Sequence, residues 1–139
     1  MMLNTGLIVP VDLNGRPIGG GYYAKSFKFR FNATHGQSIS MPSDAVGKTG
    51  LLFVRTTGSS WHNKTSHIGY HLLPNDNPSQ FLGIFPHERV WNGGAKTFQR
   101  NVSIPSYYVA KEYNTGSRGA PQGYYNDFVW FVADCILYY

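Results

Sequence analysis

Residues 26–31 read Ser-Phe-Lys-Phe-Arg-Phe, so that Phe27, Phe29 and Phe31 fall on one side of an extended chain and Lys28 and Arg30 on the other. A period of two sorts side chains in this way, whereas a helical period of 3.6 scatters them around the axis. The segment therefore predicts a half-buried antiparallel strand with its cations facing water. Any fold for this chain has to supply a sheet for that strand to join and an apolar layer for its rings to meet.

The rest of the sequence repeats the theme. Short strands are predicted over residues 37–41, 50–55, 68–73, 81–85, 96–104 and 107–113, and a long, almost wholly apolar one over 124–138. Between them lie turn-rich segments at 42–48, 56–66, 74–79, 92–94 and 114–123, in which Gly, Pro, Asn and Ser recur. Near the start, Asn14-Gly15 is the favoured type I′ turn pair, which predicts a hairpin or tight turn between 7–12 and 16–18. Pro10 and Pro17 place those strands at a sheet edge, because proline has no N–H to give to a ladder. Gly19-Gly20-Gly21 then marks a bend or bulge. No stretch of ten residues carries a capped helical period. The expected fold is all-β: one antiparallel β-sandwich, or partly open barrel, spanning 1–139 with long Gly/Pro/Asn-rich loops. The apolar run 124–138, rich in aromatic and β-branched residues, is expected to be a central strand covered on both faces, partly by another subunit.

Composition narrows the class further. Aromatic residues make up 16% and charged residues 14% of the chain, the latter well below the usual ~25%. Coiled coils and disordered chains are excluded by that balance. Twelve Lys+Arg against seven Asp+Glu give a formal charge of +5, but the cations are scattered, with only Lys25, Lys28 and Arg30 close together, so a nucleic-acid partner is not expected. The lone Cys135 forbids an intrachain disulfide, and its apolar surroundings predict a buried, inert thiol. Residues 1–6 show no secretory signal, and no apolar run approaches the ~18 residues of a membrane helix.

Catalytic and metal chemistry find little footing. His67 and His71 share a strand face and His62 lies near them, but zinc requires three or four converging ligands, and no cysteine or near carboxylate joins them. The acids Asp12, Asp44, Asp76, Glu88, Glu112, Asp127 and Asp134 are dispersed, and no phosphate loop, GxSxG elbow or HExxH motif occurs. The expectation is a non-enzymatic protein without metal or cofactor.

Aromatic residues set among polar ones give the strongest functional signal. Trp61, His62 and Asn63 form one such group, Arg89, Trp91 and Asn92 a second, and Arg118 in the 114–123 loop completes the candidate binding set. Rigid, amphipathic rings beside hydrogen-bonding side chains suit partner recognition and the stacking of sugars. The plainer alternative is that Trp61 and Trp91 cap the core at the ends of the sandwich. The doublets Tyr22-Tyr23, Tyr107-Tyr108 and Tyr124-Tyr125 require one ring of each pair to face away from the core if extended.

The opening 6–18, Gly-Leu-Ile-Val-Pro-Val-Asp-Leu-Asn-Gly-Arg-Pro-Ile, followed by tyrosines, short strands and an aromatic C-terminal strand, resembles small β-rich tail proteins of bacteriophages. The resemblance covers the chain as a pattern and maps no site residue. It implies a virion tail-tip or tail-fibre component, oligomeric, that contacts other tail proteins or a host-surface receptor or glycan. A stand-alone carbohydrate-binding module or lectin is the alternative expectation, and a small inhibitor or regulatory binder a third.

Overall fold

A computed structural model describes residues 6–32, 35–60, 68–88, 91–92, 95–114, 122–125 and 130–139. Among these residues ten strands follow one another: β1 (Ser26–Phe31), β2 (His35–Ser40), β3 (Thr49–Ser60), β4 (Ile68–Pro74), β5 (Leu82–Glu88), β6 (Trp91–Asn92), β7 (Lys96–Ser103), β8 (Tyr107–Asn114), β9 (Gly123–Tyr125) and β10 (Trp130–Tyr138). One 3-10 turn, Pro78–Gln80, precedes β5. All pairings are antiparallel. The first sheet runs β1-β10-β3, with β7 and β6 end to end along the far edge of β3. The second runs β2-β8-β4-β5, with β9 continuing the β2 edge of β8. Most successive strands lie in different sheets, although β4 and β5, β6 and β7, and β8 and β9 share one, and β1-β10-β3-β7 faces β2-β8-β4-β5. That order is the eight-stranded double Greek key, or jelly roll. The two sheets pack as a sandwich and do not close into a barrel.

Alternation on each strand builds the core. Phe29 and Phe31 of β1, Leu52 and Val54 of β3, and Ala133, Cys135 and Leu137 of β10 point inward from the first sheet. Tyr70 and Leu72 of β4, Ile84 and Phe85 of β5, and Tyr108 and Ala110 of β8 meet them from the second. Phe29 stacks against Tyr108 across the sheets, centroids 6.4 Å apart. The connections 41–48 and 104–106 close one end: Met41 and Ala45 are buried, and Ile104 N donates to Lys48 O while Gly47 N donates to Ile104 O. Gly50 is required here, since a Cβ would collide with the Tyr138 carbonyl and lie 2.9 Å from Ile104 Cδ1.

The first sheet has a second apolar layer. Leu51, Phe53, Ile136 and Tyr138 face outward and are covered by Ile8, Ile18 and Tyr23 of the N-terminal segment. The Tyr138 hydroxyl donates to Val11 O at 2.6 Å and accepts from Val11 N at 2.9 Å, and Gln99 Nε2 donates to Ile18 O. The C-terminal part of β10 is therefore a central strand covered on both faces, but its outer cover is its own chain rather than another subunit.

One sequence expectation is met in its shorter form, and two change. The turn at Asn14-Gly15 forms, with Asp12 N donating to Arg16 O, but the flanking residues make only isolated bridges, Ile8–Tyr23 and Val11–Pro17. Pro10 and Pro17 withhold the N–H groups that a longer ladder needs. The polar stretch 56–60, expected as loop, extends β3, because β10 pairs alongside it as far as Ser59. The run 124–138 divides between sheets: β9 pairs with β8, whereas β10 lies between β1 and β3.

Candidate functional site

The outer face of the second sheet carries a cluster of stacked rings. On β4, Tyr70 and Leu72 face the core, so His71 faces out; on β8, Tyr108, Ala110 and Glu112 face in, leaving Lys111 and Tyr113 outside. The His71 imidazole lies between two rings. Phe81 stacks on it with centroids 4.1 Å apart and planes 10° from parallel, and Tyr113 stacks at 4.6 Å and 15°. Tyr124 of β9 meets both edge-on, 5.7 Å from His71 and 4.9 Å from Tyr113, and its hydroxyl shares a 3.1 Å hydrogen bond with His71 Nδ1. Exposure grades across the cluster. His71 is 1% exposed, Tyr113 and Tyr124 are half-buried, and Phe81 is 46% exposed.

Local chain geometry sets up this row. Asn75 and Asp76 turn the chain with φ of 52° and 57°, a left-handed conformation that Asn and Asp tolerate better than most residues. The Asn75 side chain accepts from Ser106 N, and the Asn77 side chain accepts from Ser79 N to begin the 3-10 turn. The chain then returns to bring Phe81 over β4. Polar groups border the rings. Lys111 Nζ lies 3.1 Å from Asp76 and 5.7 Å from the Tyr124 centroid, and Gln122 donates to the Tyr113 hydroxyl. Burial, with smaller contributions from Tyr113 and Asp76, pushes the Tyr124 hydroxyl above its ordinary pKa. It stays a neutral donor and acceptor at physiological pH.

Stacked rings offer a flat apolar surface, while Lys111, Asp76, Gln122 and the tyrosine hydroxyls supply directional contacts beside it. Cys135 is buried, and burial followed by the neighbouring Asp134 charge pushes its thiol well above the ordinary value, so it is no nucleophile. Among the described residues no group of three His, Cys, Asp or Glu side chains is placed to hold a metal. Glu112 faces Tyr70 on the inner side of the sheet, where burial and then the Glu112 charge raise the Tyr70 hydroxyl.

Of the residues expected from sequence to bind, Trp61, His62, Asn63, Arg89 and Arg118 lie outside the described residues, as does His67. Trp91 and Asn92 are placed through their backbone alone, paired with Ser60 and Ser59. Topology nevertheless relates their segments. Ser60 pairs with Trp91, Ser59 with Trp130, Ile68 with Asn114 and with Glu88. The last residues of β3, β5 and β8 thus lie at one end of the sandwich, and Tyr113 and Tyr124 lie toward that end. The outward member of two tyrosine doublets is as expected: Tyr22 is 64% exposed while Tyr23, part of the N-terminal cover, packs against the first sheet, and Tyr107 faces away from the buried Tyr108; the side chain of Tyr125 lies outside those described. Sequence reasoning missed the stacking role of Phe81, His71 and Tyr113. Alternation over 107–113 signals that Tyr113 shares a face with Tyr107, but nothing local brings Phe81 to it.

Comparison with protein-family models, with curated proteins and with solved structures gives no match.

Proposed function

We propose that the chain is a non-enzymatic recognition domain of a virion tail, which binds a host-surface or tail partner through exposed aromatic side chains. The single observation that supports this reading most is the row Phe81, His71, Tyr113 and Tyr124 on the outer face of the second sheet, graded from half-exposed to buried. A surface of fixed rings loses little conformational entropy on binding, which is why Tyr and other aromatics dominate recognition surfaces. The jelly roll adds a rigid frame, and it serves capsid and lectin domains alike, so the frame alone does not choose between functions.

A second reading, a stand-alone carbohydrate-binding module, is favoured by the polar border of Lys111, Asp76 and Gln122 around the rings. Ring faces cover the apolar side of a pyranose while such groups take its hydroxyls. Two measurements separate the readings. Light scattering after size exclusion is expected to give an oligomer for a tail component and a monomer for a free-standing module. A glycan array with wild type and Phe81→Ala tests the shared surface. A monomer whose binding is absent, or is unchanged by Phe81→Ala, overturns both.

A further inference from the structure

Away from the ring cluster, the edges of the two sheets leave a cleft between β5 and β7. Its volume is about 300 Å³, the lower end of the range for ligand sites and enough for one ring-sized molecule. Pro74 of β4, Leu82 of β5, Val102 of β7 and Tyr108 of β8 form the apolar part of its lining, to which Asn101 and Ser103 of β7 also belong. Gln80, from the 3-10 turn, and Arg100 supply polar groups.

Arg100 is the informative residue. Its register opposite Leu52, whose side chain belongs to the core, turns it toward the space between the sheets. There its guanidinium carbon lies 5.1 Å from the centroid of the Phe98 ring, which restricts its orientation. Three cations of the described surface pair with carboxylates: Lys25 with Asp44, Arg30 with Asp134 and Lys111 with Asp76. Among the described residues no carboxylate pairs with Arg100. An oriented guanidinium at an apolar cleft presents paired N–H donors that match the planar fork of a carboxylate. A phosphate dianion would call for more cations than the single one lining this cleft.

We propose that the cleft between β5 and β7 is a ligand site for a ring-sized molecule bearing one carboxylate, with the ring against Leu82, Val102 and Pro74 and the carboxylate on Arg100. A sugar acid and an aromatic acid share that chemistry. Isothermal titration calorimetry on the full chain distinguishes them, using glucuronate and benzoate, with glucose and benzamide as the uncharged counterparts. At least one acid is expected to bind, with its uncharged counterpart at least tenfold weaker. Arg100→Gln is expected to bring the acid down to the level of that counterpart, and an unchanged melting temperature will show that the exposed edge position tolerates the change. Binding of neither acid overturns the proposal, as does equal affinity for acid and counterpart or full affinity in Arg100→Gln. The site is separate from the ring cluster, so these outcomes do not bear on the recognition surface.

Discussion

Single residues show where the fold leaves no freedom. Gly50 sits where a methyl group would strike the backbone of β10, and backbone cannot move aside as a flexible side chain does. Gly50→Ala is expected to cost about 1–3 kcal/mol, the usual range for overpacking, read as a lowered denaturation midpoint. Cys135 gives a second test at this scale: in the native protein at pH 8 it should resist a thiol reagent such as DTNB and react fully in denaturant. Rapid native-state labelling would contradict its burial. The surface pair Lys25–Asp44 adds a pH dependence. Hydrogen bonding from Lys25 holds the Asp44 carboxyl below its ordinary value, with Tyr139 contributing a further hydrogen bond. A carboxyl lowered by folding stabilises above its ordinary value, and that contribution is lost as pH falls through the lowered one. Wild type should thus lose more melting temperature between pH 5 and 3 than Asp44→Asn does, by a small margin because both groups are exposed.

Elements explain which parts of the fold were legible. β1 was readable residue by residue, because Phe27, Phe29 and Phe31 alternate with polar neighbours and the strand lies at a sheet edge beside β10. The bounds of β4, β7 and β8 lie within a residue of those read from sequence. The polar end of β3 was not legible, since Thr56 and Thr57 look like loop until β10 is placed beside them. The run 124–138 was read as one strand although Asn126-Asp127 interrupt it, and 123–125 and 130–138, on either side of that polar pair, belong to different sheets. The N-terminal segment forms the tight turn read at Asn14-Gly15 but not a longer hairpin. Its turn was recognisable, but its two prolines limit it to a strap lying on Leu51, Phe53, Ile136 and Tyr138. Tyr138→Phe removes both hydroxyl contacts with Val11, a loss of about 1–3 kcal/mol. The strap is expected to loosen by itself, with faster amide exchange at Ile8, Val11 and Ile18 and little change in β10. Equal acceleration in β10 would mean that the strap and the sheet unfold as one unit.

At the scale of the whole molecule, many of the described aromatic side chains fall into two buried layers and one outward row. Phe29, Phe31, Tyr70, Phe85 and Tyr108 fill the space between the sheets, and Phe53, Tyr23 and Tyr138 join the strap to the first sheet. Phe81, His71, Tyr113 and Tyr124 remain on the outer face of the second, held there by strands distant in sequence. That is why the candidate surface was only half visible beforehand: outward tyrosines follow from alternation, whereas their assembly around His71 follows from topology. The same topology brings the last residues of β3, β5 and β8 to one end, toward which Tyr113 and Tyr124 lie. Recognition through this row is the central claim, and Phe81, the most exposed ring, tests it with least risk to stability. The decisive measurement is the affinity of wild type and Phe81→Ala for the best glycan ligand found on an array. A loss of about tenfold, ~1.4 kcal/mol, with the melting temperature nearly unchanged is the expected result; equal affinity in the two proteins, or a monomeric wild type that binds no glycan, would contradict it.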